Sequence, residues 1–226
     1  MQLDEKWNFI GKKEQNCDGA DPADQDLGDR WDHTAIDAEH SLLLAMVLGK
    51  RTGENCRAVV EEVKARTGGR MDLLLASDEH APYKSAIKAA YGVETPVPKK
   101  PGPGRHPKPK RVVPVTMCYA TVRKTRQKGR VTKVVRTLVF GMMAVLTALL
   151  TRSSVSSTIN TSFVERHNGT DRGQNARKGR KTYCFSKRLD VHDAVSFFVA
   201  FSYNFCWPVR TLRDRTPDAT GPVTPA

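Results

Sequence analysis

Leu3, Glu5, Trp7 and Phe9 alternate with Asp4, Lys6 and Asn8, so residues 3–10 read as a strand with two chemically different faces. Residues 16–32 are acidic and rich in turn formers and mark a loop. His33–Asp37 and Leu42–Leu48, interrupted at Ala38–His40, predict two antiparallel strands joined by a tight turn. Cys56, Val59, Val60 and Val63 recur at helical spacing within Gly53–Arg66, and Gly68-Gly69 ends that helix. The apolar run Met71–Ala76 predicts a buried strand that stops at Ser77-Asp78, before a helix over Tyr83–Tyr91. Asp78 therefore sits at the C-terminal end of a strand, where open α/β sheets commonly bind ligands.

Pro96–Pro114 is rich in Pro, Gly and Lys and predicts an extended, poorly packed linker. Strands follow at Thr116–Thr125 and Arg130–Phe140, and the apolar continuation to Leu150 reads equally as strand or helix. From Thr161 the chain turns helical and polar. A last helix over Asp190–Cys206 carries Val191, Ala194, Val195, Phe198, Phe201 and Phe205 on one stripe, which predicts a core-facing helix. This order of elements gives a mixed α/β class with a sheet part antiparallel and part parallel.

Charge changes the picture. The 226 residues carry a net charge of +13, yet fourteen Lys and Arg and no Asp or Glu lie between Thr95 and Val164, which leaves −1 for the rest of the chain. Such a block either meets a polyanion, releasing its counterions, or forms a solvated insertion. Five scattered cysteines without a CxxC pair indicate neither a disulfide framework nor a zinc ribbon, and a reduced cytoplasmic protein fits them. No secretory leader is recognisable. The 13-residue apolar run Leu138–Leu150 is shorter than the roughly 20 residues that a membrane span needs, so no membrane association is expected.

Several segments, in order, carry a resemblance: Leu3–Lys13 (LDEKWNFIGKK), Trp31–Asp37 (WDHTAID), Gly49–Thr52 (GKRT), Ser77–Tyr83 (SDEHAPY), Asn160–Asn168 (NTSFVERHN), Arg180–Thr182 (RKT), Phe185–Lys187 (FSK), Tyr203–Cys206 (YNFC) and Arg210–Arg213 (RTLR). Together they resemble the DDE transposases of small bacterial insertion sequences. The resemblance implies an α/β, RNase-H-like mixed sheet flanked by helices, interrupted by the basic insertion. Residues 1–95 and 115–213 would form the catalytic domain, 96–114 the linker and 214–226 a flexible tail.

It also implies that Asp4, Asp78 and Glu165 are the catalytic carboxylates, holding Mg2+ or Mn2+. Hard cations favour carboxylate oxygens, and two ions roughly 4 Å apart serve phosphodiester cleavage without a covalent protein intermediate. Asp37 competes for the first position, but the Asp-Glu-x-Trp match falls on Asp4. Where the family commonly has Thr-Asp-Gly, this chain has Ser77-Asp78-Glu79. The implied partners are duplex DNA, as element ends and target, an upstream DNA-binding subunit or frame, and further copies of the chain on DNA in the nucleoid. A helix at Glu165 brings Asn168 and Arg172 onto its face, where they contact phosphate or, for Arg172, equally solvent. Phosphate contacts are also expected of Lys99, Lys100, Lys108, Lys110, Arg111, Arg177, Lys178, Arg180 and Lys181. The competing readings are a catalytically decayed transposase fragment and a non-enzymatic basic DNA-binding protein.

Overall fold

The computed structural model describes residues 1–99, 105–216, 218 and 220–226. Its elements are β1 (Gln2–Ile10), β2 (Gly28–Asp37), β3 (Leu42–Gly49), α1 (Gly53–Arg66), β4 (Leu74–Ser77), α2 (Ala81–Tyr91), β5 (Val93–Thr95), β6 (Lys110–Val112), β7 (Cys118–Gln127), β8 (Arg130–Phe140), α3 (Met143–Arg152), α4 (Ser162–Gln174), α5 (Leu189–Phe205) and α6 (Arg210–Arg213). Six strands form one sheet in the order β3-β2-β1-β4-β7-β8. The β1/β4 and β4/β7 pairs are parallel and the others antiparallel. The fold is α/β, a mixed sheet flanked by helices, in keeping with an RNase-H-like fold.

The alternation in β1 divides the sheet. On one face Leu3, Ala35, Ala45 and Leu75 pack against Val59, Val60 and Val63 of α1 and Tyr83, Ile87 and Tyr91 of α2. Thr52 caps α1, its hydroxyl accepting from the Asn55 amide at 3.3 Å; such a cap is worth about 1 kcal/mol. A smaller apolar cluster of Ala76, Cys118, Ala120, Val122, Leu146 and Ile159 lies under α3. The run to Leu150 is thus strand and then helix, divided at Gly141, where φ is +97° and an added Cβ would lie 2.7 Å from Cys118 Sγ.

Two expectations are corrected. β2 starts at Gly28, inside the stretch read as loop, because β1 is long enough to pair as far as Ile10 with Gly28. Asn8 opposite Arg30 and Trp7 opposite Trp31 are part of that ladder. The stripe on α5 does not face the core: Ala194, Phe198, Phe201 and Phe205 are exposed, while His192, Ser196, Val199 and Tyr203 are buried. Polar contacts set this rotation, since the Tyr203 hydroxyl donates to Ser41 O at 2.8 Å and the Asn204 amide bonds both backbone groups of Leu43. Within the basic linker, Lys110–Val112 is extended and exposed, as expected, and pairs with Val93–Thr95. The chain end returns to the last helices, Val209 N donating to Val223 O at 2.9 Å and Ala226 N to Asn204 O at 3.0 Å. Among the described residues no helix is long and apolar enough to cross a membrane.

Candidate active site

Asp4 on β1, Asp78 just past the end of β4 and Glu165 in the first turn of α4 lie near enough for the charges of Asp78 and Glu165 both to act on Asp4. The start of α4 is held from β1: Gln2 Oε1 accepts from the amides of Phe163 at 2.9 Å and Val164 at 3.0 Å, and Gln2 Nε2 donates to Asn160 Oδ1 at 2.9 Å. These bonds satisfy helix N–H groups that lack intrahelical partners. They also fix Glu165 relative to Asp4, two residues along β1 from Gln2. One turn further on, Asn168 Nδ2 donates to Asp4 Oδ2 at 2.6 Å.

Burial and the neighbouring charges of Asp78, Glu5 and Glu165 push the Asp4 carboxyl up to about 7. Asp78 is also raised, by burial and then by Glu5; its Oδ1 accepts from the His80 amide at 3.1 Å at the start of α2. Partial burial raises Glu165, but hydrogen bonds from Lys124 and Thr161 with the Lys124 charge outweigh it and leave that carboxyl low. The donor chemistry suits a hard divalent cation: the charges of Asp78 and Glu165 act against that of Asp4, and Glu165 already holds an ammonium. The three are not drawn tightly together. Among the described residues, the one group of three His, Cys, Asp or Glu whose donor atoms lie within 4.8 Å of one another is Glu5, His33 and Cys56, all buried. That group belongs to the core. Burial, then Glu5, pushes the Cys56 thiol up to about 12, His33 Nε2 lies 3.2 Å from Lys50 O, and Glu5 Oε2 takes Arg51 at 2.9 Å.

Asp37 lies at the β2–β3 turn, where it accepts from the Glu39 amide at 3.1 Å and pairs with His40 at 2.5 Å. Beneath the carboxylates is a buried charged quartet. Asp32 Oδ2 meets Lys178 at 2.6 Å and Lys6 at 3.0 Å, its Oδ1 accepts from Asn8 at 3.0 Å, and Asp171 pairs with Lys6. Burial opposes the Asp32 charge, but the two lysines hold its carboxyl well below the usual range; burial brings Lys6 down to about 8. Lys178, expected to contact phosphate, is instead wholly enclosed with Asp32 as its partner.

The other expected contacts are spread out. Asn168 is buried on Asp4, and Arg172 is half-buried. Arg180 and Lys181 are exposed and Arg177 half-exposed after α4. Lys99, Lys108, Lys110 and Arg111 are exposed at the far end of α2 from Asp78, where Arg111 donates to Ala89 O at 3.0 Å; Lys100 lies outside the described residues. Sequence reasoning missed Gln2, Thr161 and Lys124. Their partners are about 160, 4 and 41 positions away, and only the Thr161–Glu165 spacing, one helical turn, was readable beforehand.

Residues 130–203 match the family model of the IS1 transposase. That segment, 74 of the 226 residues, is similar to an insertion-sequence transposase. The match spans β8, α3, α4 and most of α5, and so includes Glu165 and Asn168 but not Asp4 or Asp78. It supports an insertion-sequence DDE transposase, a kind of protein that cuts and joins DNA and generally uses divalent metal. Neither the curated proteins nor the solved structures compared give a match.

Proposed function

We propose that this chain catalyses metal-dependent DNA cleavage and strand transfer of an insertion sequence, with Asp4, Asp78 and Glu165 as its metal-holding carboxylates. The observation that carries this reading is the Asp4 carboxyl on β1, raised to about 7 by burial and by neighbours that include Asp78 and Glu165, the latter on the helix α4 inside the segment that matches the family. Mg2+ or Mn2+, when bound, supplies charge stabilisation for an in-line attack on a phosphodiester. The chain's own residues do the rest. Asn168 orients Asp4, Gln2 and Thr161 position Glu165, and Arg172, Arg177, Arg180 and Lys181 draw the phosphate backbone towards the carboxylates. Lys99, Lys100, Lys108, Lys110 and Arg111 extend that contact along the DNA. Element ends and target DNA are the substrates, an upstream DNA-binding subunit or frame recognises the ends, and the protein works in the nucleoid.

The assembly on DNA is a homo-oligomer formed through α5. Phe197, Phe198, Phe201 and Phe205 are 54–68% exposed, Trp207 is 47% exposed, and no charged residue occurs from Ala194 to Val209. At ~200 Å² for a whole aromatic side chain, each copy offers roughly 500 Å² of this surface. Two copies then bury about 1,000 Å², the lower bound for a specific interface. An uncharged face also lets two chains of +13 meet without basic contact.

Cleavage of the element end with Mg2+ tests the reading. Asp4→Asn, Asp78→Asn and Glu165→Gln are each expected to lower strand cleavage by about 10³-fold or more with the fold retained. Full cleavage by Asp4→Asn and none by Asp37→Asn would move the first carboxylate to Asp37.

A further inference from the structure

β7 pairs with β4 only from Cys118 to Thr121. Beyond Thr121, β7 and β8 continue as a two-stranded arm without another neighbour in the sheet, closed at Lys128-Gly129, where φ is +48° and +79°. Consecutive positive φ values make the tight hairpin turn that matches strand twist. From Val122 to Gln127 the arm reaches about 20 Å. A ribbon of this kind packs too little to be stable for its own sake.

Its cations fall into two groups. At the root, Arg123 pairs with Glu79 at 3.6 Å, Lys124 with Glu165, and Arg136 donates to Ile159 O at 2.6 Å. Further out, Arg126, Lys128, Arg130 and Lys133 are exposed and have no ion-pair or hydrogen-bond partner among the described residues. The register puts Arg126 opposite Val131 on one face, and Lys133 opposite Thr125 with Arg130 opposite Gln127 on the other. A cationic surface that lies flat on a polyanion needs charge on one face. Charge on both faces suits a cleft with a phosphate wall on each side. The major groove of B-DNA is such a cleft, about 12 Å wide, and admits a two-stranded ribbon.

We infer that the β7–β8 arm enters the major groove of duplex DNA and grips it beside the phosphodiester to be cut. The inference rests on the transposase reading only for the second half of that statement. Because Lys124 joins the root to Glu165, DNA held by the arm lies within about six base pairs of the carboxylates, at 3.4 Å per pair.

The test is binding of the full chain to duplex DNA of arbitrary sequence, in EDTA, across a salt series. Replacing Arg126, Lys128, Arg130 and Lys133 together by Gln is expected to weaken binding roughly tenfold or more at moderate salt. It should also lower the salt slope by about 3 to 4. Melting monitors the fold, and a second variant with Ala at Arg126 and Lys133 alone should lose about half the slope. Duplex should suffer more than a single strand of equal length. Unchanged duplex binding, equal loss on single strands, or a slope lost only when Lys99, Lys108, Lys110 and Arg111 are replaced would each overturn the inference. If the arm variants bind normally while the three carboxylate variants lose cleavage, the arm inference fails alone. If the arm variants lose binding while the carboxylate variants still cleave, the transposase site fails and the arm stands.

Discussion

Across β1 and β2 the two faces of the central sheet are built from opposite materials. Towards α1 and α2, Leu3, Leu75, Val60, Ile87 and Tyr91 make an apolar layer. Towards α4, the same strands present Asp4, Lys6, Asn8 and Asp32 to Asn168, Asp171 and Lys178. An apolar layer gains from burial at every contact and tolerates neighbours of similar size. A charged layer is stable only when every member has its partner, and it is the layer that can hold the site's carboxylates in place. One face thus carries an apolar core, and the other carries the proposed carboxylate Asp4 beside a matched set of buried charges.

The largest effect should come from unmatching that set. Asp32→Asn leaves Lys6 and Lys178 buried with Asp171 alone, and denaturant unfolding should show a loss of about 3–5 kcal/mol. Ile87→Ala on the apolar face should cost about as much, roughly 2–5 kcal/mol. The two faces separate when a whole layer is exchanged: Met or Leu at Lys6, Asp32, Asp171 and Lys178 together should leave stability equal or higher. A large loss in that fourfold variant would show that the charges do more than match one another.

The next effect is pH-dependent. In the folded chain Asp4 keeps its proton up to about 7, whereas the unfolded carboxyl releases it near its ordinary value of 3.8. The folded state therefore binds more protons between these values, and stability from this group falls as pH rises from about 4 to about 7. Without divalent metal, Asp4→Asn should melt higher than the parent at pH 8, by on the order of 2 kcal/mol, and equally at pH 4. Equal melting of the two proteins at both pH values would show that Asp4 is not strained by its neighbours.

The smallest change in stability should accompany the largest change in assembly. Phe198→Ser with Phe201→Ser removes exposed side chains, so the melting of a dilute sample should move by no more than about 0.5 kcal/mol. Sedimentation should find the oligomer shifted to monomer. An unchanged oligomer would remove α5 from the interface.

β1 was legible because alternation is strict and both of its faces are covered. Asp78 was legible because a short apolar run ended on it. Gly28–Asp32 looked like loop because its residues are turn formers, and pairing to β1 overrides that local preference. The α5 stripe misled because hydrophobicity was taken to set the rotation of the helix. Tyr203 and Asn204 set it through bonds to Ser41 and Leu43 on the edge strand. Lys178 looked like one more cation in a basic run, since its partner Asp32 lies 146 positions away. The elements that carry Asp4, Asp78 and Glu165 were readable, and what holds those side chains was not.

The quartet also bears on how the chain is made. Lys6 and Asp32 belong to the first 32 residues, whereas Asp171 and Lys178 leave the ribosome some 140 residues later. In the interval the first hairpin shows water a pair of hydrated ions on this side, where a greasy strand would invite adhesion to other nascent chains. Waiting costs that half of the protein little, and it becomes dry only when α4 and the turn after it arrive with Asp171 and Lys178.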